Sequence, residues 1–373
     1  MHRSSGMKRV VIAGAGPAGS AAAMTLAGRS GVECIVLDRR PFPRTKVCGS
    51  GLSPWTLTLL DRMGVGEKVR AKAFRIDGAL IAGTTGDGLV LRGDHETAIL
   101  LREVFDELLV HEAVARGASF REGVRVNSIA RVDGRVVGVE TDQGAIEADA
   151  VIDASGATGN LTPADRGGAT LHTIMGWYEG VEGVSDVVEV YFDASLKPHY
   201  GWVFPESTSR VNIGLCFFAK SPGPNARERF ESFLERRLGQ RMRHASRIGN
   251  LVGHPVHVGA WPTALVSPGV LVAGEAARLA DYATAEGIYH ALLSGLSAGE
   301  VLGEVLASGQ EPDEAHLSRY TSLVRRRLGL RLVGGRALTG ILNGPVLDFA
   351  LRFGTNFASR KILSRLFAGL YHG

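Results

Sequence analysis

The segment Gly14-Ala-Gly-Pro-Ala-Gly19 restricts the fold of this chain more than any other feature. It follows a β-branched run, residues 8–13, and opens a helical run of small residues, so its glycines lie where a strand turns into a helix. Gly14 permits the tight turn, Gly16 lets a pyrophosphate approach the bare backbone, and Gly19 lets helix and strand pack closely. The helix N-terminus favours phosphate charge. The pattern predicts a β-α-β unit that binds a dinucleotide.

Asp38 ends a second apolar run, residues 33–38, and lies nineteen residues after Gly19. A carboxylate at this point accepts hydrogen bonds from ribose hydroxyls, which favours a dinucleotide site over a purely structural glycine turn. The residues of this unit alone do not distinguish FAD from NAD. The residues expected to contact the cofactor here are Gly14, Gly16, Pro17, Ala18, Gly19, Asp38 and Arg39.

The composition is that of a globular protein with a large core, because 45% of the 373 residues are hydrophobic. Three cysteines, Cys34, Cys48 and Cys216, are too few for a disulfide framework, so we expect a reducing, cytoplasmic compartment. No cysteine pair has the spacing of a metal site, and we expect no metal. Aromatic and basic residues are not interleaved on a recognisable module, so we expect no nucleic-acid partner.

The net charge of +4 is concentrated at the C-terminal end. From residue 325 onward there are nine Arg or Lys residues against one acid, Asp348. Two interpretations are open: a solvated helix face, or a peripheral contact with an anionic membrane surface. The sequence does not indicate an oligomeric state. The basic positions are 325, 326, 327, 331, 336, 352, 360, 361 and 365.

Hydrophobic periodicity predicts that the nucleotide-binding part is interrupted in sequence. Buried-strand patterns at residues 150–154 and 270–274, and helical patterns at 99–116 and 286–306, extend the first unit. Residues 118–149 alternate around Asp133-Gly134, which is typical of a β-hairpin or meander. Residues 169–218 contain longer alternating runs, which predict an antiparallel sheet on the substrate side.

Two later segments indicate FAD by resemblance. Asp153-Ala-Ser-Gly-Ala-Thr-Gly159 and Gly274-Glu-Ala-Ala277 resemble the second and third flavin segments of the family that contains p-hydroxybenzoate hydroxylase and the geranylgeranyl reductases. Arg102 resembles the arginine that this family sets near the cofactor; an exposed helix-start arginine is the alternative. The cofactor residues that the resemblance adds are Arg102, Gly156, Gly274, Glu275, Gly287 and Ile288.

A second resemblance is to the geranylgeranyl reductases in particular. Residues 42–54 closely match a loop of these enzymes, and Tyr200-Gly-Trp-Val-Phe-Pro205, followed by Gly214, matches their YxWxFPx8G substrate motif. The resemblance implies that Cys48 is catalytic, orienting the substrate or donating a proton, and that Lys46 contacts the cofactor; inert or solvated roles are the alternatives. Tyr200, Trp202 and Phe204 alternate on a strand and share one face, as in an apolar slot or a plain sheet core. The expected substrate residues are Tyr200, Trp202, Phe204 and Pro205.

These features together predict an α/β fold with three parts. The first is a glutathione-reductase-like Rossmann FAD domain over residues 7–75, 96–165 and 264–306. An antiparallel β-sheet substrate domain, residues 76–95 and 166–263, is inserted into it, and a helical C-terminal region covers residues 307–373.

The chain departs from the family pattern beside the expected flavin. Where the family usually reads GDAAG and then PxxGEGI, this chain has Glu275 and Arg278, and then Tyr282 and Ala285. Glu275 keeps the carboxylate with one extra methylene, whereas Arg278 introduces charge and bulk. We expect the chain to bind FAD despite these departures. They do not indicate which substrate it takes or whether the flavin is used for reduction.

The resemblance implies a reductase in which flavin delivers hydride to a carbon-carbon double bond of a hydrophobic, isoprenoid-like substrate. No second GxGxxG follows a strand, so NAD(P)H or ferredoxin is expected as a transient electron donor. The alternative is a flavin-dependent monooxygenase, or a halogenase, acting on an aromatic or polyketide-like metabolite. The WxWxIP segment and the glycine-glutamate pair that halogenases tend to show are not in this sequence. A third hypothesis is a flavin-binding electron-transfer protein. The fold alone does not distinguish these three functions.

Overall fold

A computed structural model of the chain describes residues 6–159, 161–162, 166–218, 220, 223–259, 261–342 and 345–353. Its strands are β1 Lys8–Ala13, β2 Val32–Asp38, β3 Gly51–Leu52, β4 Phe74–Ala82, β5 Gly88–Ile99, β6 Ser119–Glu122, β7 Val126–Val132, β8 Arg135–Thr141, β9 Gly144–Glu147, β10 Ala150–Asp153, β11 Ala169–Glu179, β12 Val187–Phe192, β13 Tyr200–Pro205, β14 Arg210–Phe218, β15 Ser246–Val258, β16 Val266–Ser267 and β17 Val270–Val272. Its helices are α1 Pro17–Leu26, α2 Pro54–Arg62, α3 Gly66–Arg70, α4 Arg102–Ala115, α5 Ala226–Phe233, α6 Ile288–Ala307, α7 Glu314–Val324, α8 Leu330–Leu342 and α9 Pro345–Phe353.

The chain forms two compact units. The cofactor unit comprises Met1–Thr45, Arg102–Gly168 and His257–Val333. The sheet unit comprises Lys46–Leu101, Ala169–Val256 and Gly334–Gly373.

The cofactor unit is built on a sheet with strand order β16-β17-β10-β1-β2-β6. The neighbours from β17 to β2 pair in parallel, as the β-α-β pattern and the later buried strands predict. Strand β6, which lies in the segment predicted as a hairpin or meander, pairs in parallel with β2 instead, and β16 adds an antiparallel edge. Helix α6 lies directly against α1 because glycines remove the side chains between them. A Cβ at Gly295 would be 2.0 Å from the carbonyl oxygen of Ala18, and one at Gly299 would be 2.8 Å from that of Ala22.

A second, three-stranded sheet of the cofactor unit has the order β7-β8-β9. Its first turn contains Asp133 and Gly134, both with positive φ, which confirms the predicted meander. Buried Val136 and Val139 pack this sheet into one core with Val11 and Val151 of the parallel sheet.

The sheet unit contains an eight-stranded sheet with the order β15-β11-β14-β13-β12-β4-β5-β3. The pairs β11–β14, β14–β13, β13–β12 and β4–β5 are antiparallel, as predicted, and β3 adds a further antiparallel pair with β5. The pair β12–β4 is parallel instead. The chain between β4 and β12 is long and includes residues of the cofactor unit, so no hairpin imposes an antiparallel pairing.

The compact units place two segments differently from the predicted boundaries. Residues 46–75 belong to the sheet unit, because β3 and β4 both pair with β5. The segment after residue 333 also belongs to it, since the Asp348 carboxylate of α9 accepts hydrogen bonds from Thr84 N at 2.7 Å and from Thr84 Oγ1 at 2.5 Å. The predicted helical C-terminal region is present as α7, α8 and α9, whereas the basic residues at 360, 361 and 365 lie outside the described residues.

Candidate functional site

The glycine loop after β1 has the contacts that its sequence pattern requires. Gly14 has a φ of +108°, and a Cβ there would lie 2.3 Å from the Ala154 carbonyl oxygen. A Cβ at Gly19 would lie 1.8 Å from the carbonyl oxygen of Gly14. A Cβ at Gly16 would meet nothing closer than 3.7 Å. Gly14 and Gly19 therefore hold the loop together, whereas the space beside Gly16 is open to a ligand.

Asp38 is buried and faces this loop. One carboxylate oxygen accepts a hydrogen bond from Ala15 N at 3.0 Å, and the other accepts one from Arg40 N, also at 3.0 Å. A carboxylate accepts about four hydrogen bonds, so the ribose hydroxyls expected here still have acceptors. The neighbouring Arg39 donates to Thr158 Oγ1 at 2.8 Å, which connects the end of β2 to the segment after β10.

Two arginines lie at the open side of Gly16 and share one buried aspartate. Arg102, at the start of α4, makes a two-point ion pair with Asp106 at 2.7 and 2.8 Å. Arg44 contacts Asp106 at 2.9 Å and Asp38 at 3.3 Å. The Cβ position of Gly16 is 3.7 Å from the Arg44 guanidinium and 4.0 Å from that of Arg102. Arg44 Nε is buried and has no hydrogen-bond partner among the described residues. Paired cations with a donor to spare beside bare backbone fit a dinucleotide pyrophosphate.

This arginine cluster contains residues that the sequence interpretation missed. Asp106 follows Arg102 by four residues, which is the spacing of an ion pair on one side of a helix. This spacing could have predicted the contact from the sequence. Arg44 carried no comparable signal, because only the fold brings it next to Asp106 and Gly16.

The segment after β10 turns sharply around its aspartate. Asp153 accepts hydrogen bonds from Ser155 Oγ at 2.5 Å and from Thr162 Oγ1 at 2.6 Å. Gly156 has a φ of +78° and open space at its Cβ position. Together with Glu275 and His257, these residues line a polar cavity of about 110 Å³; the lining is Asp153, Gly156, Ala157, Gly159, Thr162, Arg166, His257, Glu275, Ala276 and Arg278.

The third flavin-like segment starts at Gly274, which has a φ of +65° and donates its N–H to Ser294 Oγ at 2.9 Å. A Cβ there would lie 2.9 Å from that of Ala18 in α1. Glu275 accepts a hydrogen bond from His257 N at 3.4 Å. The extra methylene of Glu275 thus lets its carboxylate reach the end of β15. Gly287 and Ile288 begin α6, as the predicted helix requires.

The departures at 278 and 285 place side chains where the family has glycine and where this backbone favours glycine. Arg278 and Ala285 both have a φ of +54°, in the left-handed region that L-residues adopt at a cost of roughly 1–2 kcal/mol. We expect Ala285→Gly to raise the free energy of unfolding by about 0.5–1 kcal/mol, because relief of this strain exceeds the entropy cost of glycine.

Urea denaturation checks this prediction. Ala283 lies in the same loop, is buried and has no positive φ, so Ala283→Gly should instead destabilise the protein by about 1 kcal/mol. If Ala285→Gly and Ala283→Gly lowered the free energy of unfolding equally, the strain argument would be contradicted.

In the sheet unit, the aromatic residues of β13 form one row. The ring centroids of Tyr200 and Trp202 are 6.3 Å apart, and those of Trp202 and Phe204 are 6.2 Å apart. Trp202 Nε1 donates to Asn212 Oδ1 at 2.7 Å. Gly214 lies opposite Trp202 in the sheet, and a Cβ there would be 2.2 Å from the indole, which explains the glycine of the YxWxFPx8G motif.

The other side of β13 packs differently. A Cβ at Gly201 would be 2.4 Å from the Phe233 ring of α5, so the alternating glycine makes room for a helix. Pro205 is buried at the end of β13. The aromatic row and the helix-covered side are therefore distinct surfaces of one strand.

The loop that contains Cys48 packs on the aromatic row. A Cβ at Gly49 would be 3.0 Å from the Phe204 ring, and Val47 packs with Met175, Trp202 and Cys216. Ser50 N donates to Cys48 Sγ at 3.3 Å. The Cys48 loop thus lies against Trp202 and Phe204 of the aromatic row.

Lys46 precedes this loop and lies in the sheet unit. Its Nζ is 2.6 Å from Nε2 of His254, a contact that no sequence spacing indicated. Its predicted contact with the cofactor stays a prediction.

The sequence matches the FAD binding domain family over residues 7–329. A digeranylgeranylglycerophospholipid reductase of Methanothermobacter thermautotrophicus is 30% identical over 362 residues, covering 92% of this chain and 90% of the relative. One from Methanothrix thermoacetophila is 28% identical, covering 87% and 84%. A menaquinone reductase of Mycolicibacterium smegmatis is also 28% identical, covering 90% and 87%.

Two solved structures illustrate the fold. A geranylgeranyl bacteriochlorophyll reductase-like protein of Thermoplasma acidophilum has a TM-score of 0.82 at 22% identity, covering 96% of both chains. A flavin-dependent brominase has a TM-score of 0.80 at 20% identity, covering 98% of this chain and 94% of the brominase. Reductases and halogenases share the fold, so the reductase relationship comes from the sequence matches. On those matches, this chain is an FAD-dependent oxidoreductase that belongs to the geranylgeranyl reductase family.

Proposed function

We propose that this protein reduces carbon-carbon double bonds in the isoprenoid chain of a lipid, either a prenylated glycerophospholipid or a prenylated quinone. The observation that carries the proposal is the row of Tyr200, Trp202 and Phe204 with the Cys48 loop packed on it. A row of aromatic side chains without charged groups suits a chain that has no polar group along its length. The substrates named for the relatives, a digeranylgeranyl lipid and menaquinone, both carry such chains.

In this mechanism, FAD, once reduced, supplies the hydride. The open backbone at Gly16, together with Arg44 and Arg102, holds the pyrophosphate, and Asp38 holds the ribose. The aromatic row orients the alkene. Cys48 holds a proton at Sγ for the carbon that does not receive hydride, and its thiolate regains a proton from water. One double bond, one hydride and one proton give the saturated product. NAD(P)H or a ferredoxin supplies the electrons that reduce FAD. We also propose that the protein is cytoplasmic and works at the membrane surface.

Anaerobic single turnover tests the reaction. Flavin-loaded protein is reduced with dithionite, mixed with digeranylgeranylglycerophospholipid or menaquinone, and followed by flavin absorbance and mass spectrometry of the lipid. We expect the flavin to reoxidise without oxygen and the lipid to gain two hydrogens. Reoxidation only when oxygen is admitted would contradict the reductase and indicate a monooxygenase, and halide incorporation would indicate a halogenase.

Cys48→Ala tests the proton donor in the same experiment. Because general acids contribute roughly 10²–10⁴-fold to rates, we expect normal flavin content and a rate at least about 10²-fold lower. The matched control is Cys216→Ala, which also removes a thiol near the aromatic row. Burial raises the pKa of the Cys216 thiol to about 12, so this group does not exchange protons readily and its loss should leave the rate nearly unchanged. An unchanged rate in Cys48→Ala would remove Cys48 from the mechanism.

A further inference from the structure

Three apolar side chains of the cofactor unit project into solvent close together in the fold. Leu330 is 85% exposed, Val333 is 47% exposed and Trp261 is 43% exposed. Leu330 and Val333 are three residues apart on α8, so they lie on the same side of the helix. We call these three residues the apolar ridge.

Trp261 is held beside this helix. A Cβ at Gly329 would be 2.6 Å from the indole, so the ring lies directly on the backbone next to Leu330. The Arg325 guanidinium is 5.7 Å from the indole centroid, and its Nε donates to Pro262 O at 2.9 Å. The indole therefore contacts a glycine and an arginine while part of it stays exposed.

The surroundings of the ridge are strongly basic. Residues 315–347 include six arginines and no acid. Three of the six are neutralised from other segments: Arg319 by Glu304, Arg327 by Glu300 and Arg331 by Glu286. Arg325 and Arg326 have no carboxylate partner within the described ranges and stand next to the ridge.

We propose that the apolar ridge is a docking surface for an anionic lipid membrane. Exposed Leu, Val and Trp side chains with arginines beside them are the composition of an interfacial contact, in which the apolar groups enter the headgroup boundary and the cations meet lipid phosphates. Among the described residues, no α-helix combines the length and the hydropathy of a bilayer-spanning segment. The charge selects anionic lipid over a second copy of this chain, whose ridge would bring the same arginines together. The inference rests on the proposed work at the membrane surface and names the residues that make the contact, whereas its test does not depend on the proposed reaction.

The test is co-sedimentation of the full, flavin-loaded chain with vesicles of phosphatidylglycerol and phosphatidylcholine, and with vesicles of phosphatidylcholine alone. We expect binding to the anionic vesicles that weakens with salt, and quenching of Trp261 by brominated lipid that disappears in Trp261→Phe. Leu330→Glu/Val333→Glu should bind at least about tenfold more weakly, because two apolar contacts are lost and two anions are gained. Arg325→Gln/Arg326→Gln should bind more weakly and with less dependence on salt.

The matched control is Val132→Glu/Val137→Glu. Val132 and Val137 are also exposed valines of the cofactor unit, 57% and 43% exposed, and the charge change is the same. This control should bind as the unchanged protein does, and circular dichroism should show that every variant is folded. Equal binding by Leu330→Glu/Val333→Glu and the control would overturn the proposal, as would concentration-dependent self-association that this variant abolishes. The vesicles contain no substrate, so a failed reduction assay does not affect this test.

Discussion

Gly19→Ala should yield a protein that loses at least about 3 kcal/mol of unfolding free energy and contains little flavin. The added methyl would lie 1.8 Å from the carbonyl oxygen of Gly14 and 3.2 Å from Ile12 Cγ2. Contacts below 3.0 Å to backbone are not relieved by a side-chain rotation, so β1 and α1 must move apart. Overpacking costs about 1–3 kcal/mol, and this collision with backbone belongs at or above the upper end of that range. Urea denaturation and the flavin absorbance of the purified protein measure the two effects.

Gly16→Ala separates the binding role of the loop from its folding role. Its Cβ would have 3.7 Å to Arg44 and 4.0 Å to Arg102, so the fold should be kept. The methyl would nevertheless occupy the place where a pyrophosphate meets the backbone, and FAD affinity should fall at least about tenfold. The interpretation of this loop would be wrong if Gly16→Ala bound FAD normally, or if Gly19→Ala were as stable as Gly16→Ala.

Asp106→Asn should destabilise the flavin-free protein by about 3–5 kcal/mol. The Asp106 carboxylate is fully buried and is the shared partner of Arg44 and Arg102, with contacts of 2.7 to 2.9 Å. Removing the anion leaves the buried Arg102 guanidinium with a neutral partner and leaves Arg44 with Asp38 alone, at 3.3 Å. A buried charge that loses its partner costs about this much. Chemical denaturation of the flavin-free protein gives the value.

Added FAD should restore part of the stability lost in Asp106→Asn. If the pyrophosphate lies between Arg44 and Arg102, its negative charge replaces part of the missing carboxylate, so FAD should raise the melting temperature of the variant more than that of the unchanged protein. The control is Asp61→Asn, which removes an exposed partner of Arg70 and should cost less than about 1 kcal/mol. If Asp106→Asn and Asp61→Asn lose the same unfolding free energy, the arginine cluster has no special role in stability.

The elements with a strong local pattern were predictable. Strand β1 has the predicted bounds, and β2 and β10 lie within one residue of theirs, because each is a short apolar run that is largely buried. The glycine loop and the aromatic row were also predictable, because the spacing of their residues matches the geometry of a turn and of a strand.

The pairing of distant residues was not predictable in this way. Nothing near Arg44 indicates that its guanidinium meets Asp106, and nothing near Lys46 indicates His254, 208 residues later. The parallel pairing of β12 with β4 likewise depends on a connection that includes residues of the cofactor unit.

The sequence by itself determined the dinucleotide-binding unit, the FAD family and the motif residues, because these depend on the order and spacing of neighbouring residues. The tertiary structure alone decided the charge environment of Gly16, the left-handed backbone at Arg278 and Ala285, and the exposure of the apolar ridge. Electrostatic contacts and burial depend on distances through space, and a linear spacing does not specify those distances until the chain has folded.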